Sequence, residues 1–133
     1  MAKIRRTGQE ALEFEGQEIA SASSRETVGK QHKRWHEVKV YRTKDGRFAV
    51  AVSYRSECPD EPGCDDAFVV ANAQEVAHYL ERFFFLSAAS IRYRLSQLQG
   101  QKHAMAVLAD LRNGCEEIVS GIREKIGAAE RIE

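Results

Sequence analysis

Only two prolines occur in the chain, Pro59 and Pro62, and both fall in the stretch SECPDEPGCDD from Ser56 to Asp66. Proline disrupts helix interiors and central strands, so this stretch reads as a loop and the rest of the chain is free to form regular elements. Cysteine is nearly as scarce. Cys58, Cys64 and Cys115 make three, and so small and odd a set argues against a disulfide scaffold and for a reducing compartment. No apolar run approaches the roughly 18 residues that a membrane-spanning helix needs. The opening MAKIRRTGQEALEF is basic but lacks the apolar centre of a secretory signal. The expectation from these absences is a cytoplasmic protein without a membrane partner.

An excess charge is also missing. Twenty basic residues balance twenty acidic ones, which argues against a general affinity for nucleic acid. Familiar catalytic patterns are absent: there is no G-x-G-x-x-G, G-K-[ST], H-E-x-x-H or G-x-S-x-G. A thiol nucleophile at Cys58 or Cys64 would sit in an acidic loop, which raises a thiol's pKa and works against reactivity. The reading therefore leans away from an enzyme.

What is present suits one globular domain, since hydrophobic content of 43% supplies a core for 133 residues. The most legible stretch is WHEVKVYRTKDGRFAVAVSY, Trp35 to Tyr54, two β-rich runs about Lys44-Asp45-Gly46. A two-residue turn would oppose Val40 to Ala51. A three-residue loop with Gly46 as a left-handed bulge opposes Val40 to Val50 and Val38 to Val52. Opposed residues share a face, so only the second register gathers Val38, Val40, Phe48, Val50, Val52 and Tyr54 on one side. That register is predicted. The other face carries Trp35, Glu37, Lys39, Tyr41, Ala49, Ala51 and Arg55.

Before the hairpin, residues 1–10 are polar and read as flexible. Leu12 and Phe14 alternate as a short strand, Gly16-Gln17 permits a turn, and Ile19 to Ser21 reads as a second strand or a helical turn. Ser21 to Gln31 reads as a loop. After it, Ala67 to Ala71 is a buried strand that joins the sheet. Asn72 with Glu75 three places on forms a helix cap. Val76, Leu80, Phe84, Ile91 and Leu95 then mark a helical stripe, with Ser87 to Ser90 as a possible break. Gly100 suits a left-handed helix end. Ala104, Val107, Leu108, Leu111, Cys115, Ile118, Ile122 and Ile126 continue as a second helix, with Asn113-Gly114 on its polar side and Gly127 as its stop. The predicted fold is α+β: a small antiparallel sheet (residues 11–71) built on the central hairpin and packed against a C-terminal antiparallel pair of long helices (72–127).

Lengths then suggest a partner. A helix from Gln101 to Ile126 spans roughly 39 Å against some 27 Å for a hairpin strand. The overhanging stripe Leu108, Leu111, Ile118, Ile122, Ile126 would be covered by a second copy or by the N-terminal strands. A homodimeric interaction or regulatory protein is the first functional expectation.

Two other sites are weighed. Lys33, Trp35, Lys39, Tyr41, Arg47 and Arg55 interleave basic and aromatic groups along the hairpin, which suits a protein partner or stacked single-stranded nucleic acid. The stretch Arg25 to Arg47 holds eight basic and three acidic residues, and Glu57 to Glu75 six acidic and no basic ones. Internal pairing of the two is the favoured account, because the chain as a whole is neutral. Finally, the hairpin register carries His32 and His36 toward Cys58 and Cys64, a donor set suited to zinc. Cys-x5-Cys is not a usual zinc spacing, and two histidines four apart on a strand stand about 13 Å from each other.

Overall fold

A computed structural model describes residues 2–59, 61–98 and 101–132. The elements are β1 (Ala2–Arg6), β2 (Gln9–Phe14), β3 (Gly16–Ser23), a π-helical turn (Arg25–Gly29) leading into α1 (Lys30–His32), β4 (Arg34–Thr43), β5 (Phe48–Ser56), β6 (Cys64–Val70), α2 (Ala73–Leu98) and α3 (Gln101–Ile132). The fold is α+β. An antiparallel sheet runs in the order β3-β4-β5-β6, a β1-β2 ribbon stands beside it, and α2 and α3 pack on each other and on the sheet.

The hairpin adopts the predicted register, with Val38 opposite Val52 and Val40 opposite Val50. Gly46 takes φ +86°, a conformation that costs glycine little because it has no Cβ. The Thr43 N–H donates to the Arg47 carbonyl at 2.9 Å, and the Gly46 N–H donates to the Thr43 carbonyl at 3.0 Å. Closing the turn this way aligns both arms, and their valines point together onto the helices. Val38, Val40, Phe48, Val50 and Val52 meet Val76, Leu80 and Phe84 of α2 and Ile118, Ile122 and Ile126 of α3. A second cluster joins Val28, Tyr54, Ile91, Leu95, Ala104, Val107, Leu108 and Leu111.

The start of α2 is capped as its residues imply. The Glu75 N–H donates to the Asn72 side-chain oxygen at 3.0 Å, and the Glu75 carboxylate accepts from the Ala71 N–H at 2.8 Å. The helix then runs unbroken through Ser87 to Ser90. Gly100 lies outside the described residues.

Several expectations are corrected. Residues 2–6 form β1 and pair with β2, so most of the 1–10 segment is strand or turn. Thr7 ties this ribbon to β6, its N–H donating to the Asp65 carbonyl and its hydroxyl accepting from the Asp65 N–H, both at 2.8 Å. β3 begins at Gly16 and pairs with β4, not with β2. The segment before the hairpin folds as the π-turn and α1. β6 starts earlier, at Cys64, and is a half-exposed edge strand. α3 continues past Gly127 to Ile132. Gly114 faces the π-turn, where a Cβ would lie 3.0 Å from Val28 Cγ2 and 3.2 Å from Ser24 Cβ. Its missing side chain admits the turn.

The overhang is filled from within. Leu108, Leu111, Ile118, Ile122 and Ile126 are all buried in a single chain. Ile19, Ala20 and Ala22 of β3 cover the Ile118–Ile126 half, and Val28 with Tyr54 covers Leu108 and Leu111. These five residues are core, not a free dimer face.

Candidate functional site

The outer hairpin face is largely occupied. Trp35 is buried beneath Gly29 of the π-turn, with the Arg25 guanidinium 5.0 Å from its ring centroid. Its indole N–H donates to Glu37 at 3.1 Å. Tyr41 packs edge-on against Phe14 at 5.3 Å. Lys39 pairs with Glu18, Arg47 with Asp45, and Arg55 with Asp65 at 2.6 Å. Lys33 is exposed at the end of α1, with φ +57°. The acidic 57–75 stretch pairs with Arg25, Arg34 and Arg55, whereas Lys39 and Arg47 find carboxylates on β3 and in the hairpin turn. The most buried of these pairs is Arg34 with Glu61, whose side chains are 8% and 5% exposed. Arg34 Nε reaches both carboxylate oxygens at 3.1 and 3.0 Å, and the Tyr54 hydroxyl donates to the same group at 2.5 Å. Burial works against charge on Glu61, but the hydrogen bonds from Arg34 and Tyr54 prevail and hold its pKa below the usual carboxylate range.

The four residues considered for zinc do not converge. His32 Nε2 lies 2.7 Å from Asp110 of α3, His36 points into the core, and Cys58 and Cys64 sit half-buried on the loop and on β6. Among the described residues no group of three or more His, Cys, Asp or Glu side chains is placed to hold a metal ion.

His36 belongs instead to a buried polar group between sheet and helices. It is only 2% exposed. Its Nε2 is 2.9 Å from Ser87 Oγ on α2, and its Nδ1 is 3.5 Å from Cys115 Sγ on α3. The rings of Phe84 and Tyr54 stand at 4.9 and 5.3 Å. Burial lowers the imidazole pKa to about 4. Burial, aided by the charge of Glu116, pushes the Cys115 thiol up to about 12. Both groups are therefore neutral at pH 7, and each ring nitrogen has one partner, one bond donated and one accepted. A protonated thiol beside a neutral imidazole is not the ion pair that activates a cysteine nucleophile.

His36 and Cys115 form the floor of a cavity of about 430 Å³ that opens between α2 and α3. Phe84, Ala88, Ile91, Leu111 and Val119 supply apolar walls, and Glu81, Arg112, Glu116 and Arg123 stand at the mouth. Further along the same side of the helix pair the surface is mainly apolar, with Arg92 and Arg112 among its residues. Phe85 is 74%, Tyr93 72% and Met105 50% exposed, around a hollow of about 540 Å³ shared with Ala88, Ala89 and Ala109.

Sequence reasoning missed both features, although one signal was there. His36 has the parity of Val38 and Val40, which places it on the core face of β4. Compared with protein-family models, with curated proteins and with solved structures, the chain matches none. No helix is long and apolar enough to cross a membrane among the described residues.

Proposed function

We propose that this chain is a non-enzymatic interaction protein that acts as a homodimer, two copies docking through the solvent side of the α2–α3 hairpin. The observation that carries the reading is the exposure of Phe85, Tyr93 and Met105 on one side of a two-helix surface. Large apolar groups gathered in this way favour a protein partner over water. Two further features favour a second copy. Ala88, Ala89 and Ala109 lie between the large side chains and allow helices to approach closely. The chain carries no net charge, which removes the repulsion that keeps many proteins apart.

Light scattering across a concentration series tests the proposal. The expected mass is twice the 15.0 kDa of one chain, and Tyr93→Glu should return it to that of one chain. A wild-type monomer at tens of micromolar would refute the reading.

A further inference from the structure

We infer that the cavity between α2 and α3 is a binding site for a small, neutral, aromatic molecule, held over the His36–Cys115 pair. The inference goes beyond the homodimer reading and does not rest on it, because one chain supplies every wall of the cavity.

Size comes first. A volume of about 430 Å³ lies within the range of sites that hold small organic molecules, and apolar walls with a few polar groups are their usual make-up. The shape of the ligand follows from the walls. Phe84 and His36 stand edge to face at 4.9 Å, and Phe85 adds another ring at the rim. Such surfaces reward a flat ring through stacked and edge contacts, and the Cys115 sulfur adds a polarizable neighbour for it.

The charge of the ligand follows from the mouth and the floor. Two carboxylates, Glu81 and Glu116, and two guanidinium groups, Arg112 and Arg123, surround the opening, and Glu81 is already paired with Arg123 at 3.7 Å. The opening therefore has no net charge with which to select an ion. On the floor, His36 and Cys115 satisfy one another, and Ser87 takes the remaining ring nitrogen. Since burial holds both groups neutral, an ionised group set on the floor would lose its hydration with no opposite charge beside it. A neutral ring loses little.

Isothermal titration with naphthol, and with its charged counterpart naphthoate, tests the inference. Naphthol should bind one per chain, and naphthoate about ten-fold or more weaker, a difference of ~1.4 kcal/mol. Ala88→Trp, which places an indole in the cavity, should abolish naphthol binding. Ser120→Phe narrows the same opening from an exposed position and serves if Ala88→Trp does not fold. Tyr93→Glu lies outside the cavity and should bind naphthol at least as well as the wild type, since a single chain leaves the opening, whose rim residue Phe85 also lies on the proposed dimer face, uncovered. Absence of naphthol binding to the wild type, equal binding of naphthoate, or undiminished binding after the cavity is filled would each overturn the inference.

Discussion

His36 on β4 and Cys115 on α3 lie 79 residues apart in the chain, yet the imidazole Nδ1 meets the thiol sulfur at 3.5 Å inside the core. Ser87 of α2 completes the set at 2.9 Å from Nε2. One side chain from the sheet thus joins both helices, and it does so in its neutral form.

Acid should therefore weaken the fold through His36. Its folded-state pKa, about 4, lies below the ordinary 6.5. The unfolded chain takes up the proton first, so stability is intact above pH 6.5 and falls as the pH drops toward 4. The interval corresponds to ~3 kcal/mol at 1.36 kcal/mol per decade. Cys115 and Tyr54, the titratable groups against the ring, are pushed upward by burial and do not ionise in that window. The depressed carboxylate of Glu61 loses its contribution only below the ordinary carboxylate value of 4.5. Urea denaturation at stepped pH should show the slope in the wild type and its loss in His36→Gln. An equal slope in both would contradict the assignment.

The Arg34–Glu61 pair should behave as a buried ion pair. Arg34→Met strands a buried carboxylate and should cost about 3–5 kcal/mol. Adding Glu61→Leu and Tyr54→Phe removes the groups left without partners and should recover most of the loss. Denaturant midpoints for the single and triple variants decide this. A loss below about 1 kcal/mol for Arg34→Met would place the pair with ordinary surface bridges.

Two glycines of α3 should respond in opposite directions. A Cβ on Gly121 meets nothing within 4 Å, so Gly121→Ala should gain about 0.5–1 kcal/mol from helix propensity. Gly114→Ala drives a methyl group against Val28 and Ser24 and should lose about 1 kcal/mol or more. Thermal unfolding of the two variants reads both signs. Stabilisation by Gly114→Ala would mean that the π-turn yields.

The fold was legible where local pattern and turn chemistry agreed. Alternating valines about Gly46 selected one register out of two, and the three-to-four spacing from Val76 to Ile126 located both helices. The N-terminal ribbon was not legible, because Ala2–Arg6 has a polar composition and owes its order to pairing with β2 and to Thr7 against Asp65. The π-turn escaped for the same reason: its place depends on Trp35 and on the gap at Gly114. The π-turn and β3 occupy the ground assigned to outside partners. The π-turn covers Trp35, while its Val28 and β3 cover the stripe expected to dimerise. The cavity is lined by His36, Phe84 and Cys115, three residues from three elements, and no spacing along the chain brings them together. Only the parity of His36 hinted at its position.

The surface that remains apolar and uncovered, Phe85 with Tyr93 and Met105, carries the central claim, and mass in solution tests it most directly. Light scattering at tens of micromolar should give twice the 15.0 kDa chain mass for the wild type and a single chain for Tyr93→Glu. A wild-type protein that stays at the mass of one chain throughout the series would contradict the account.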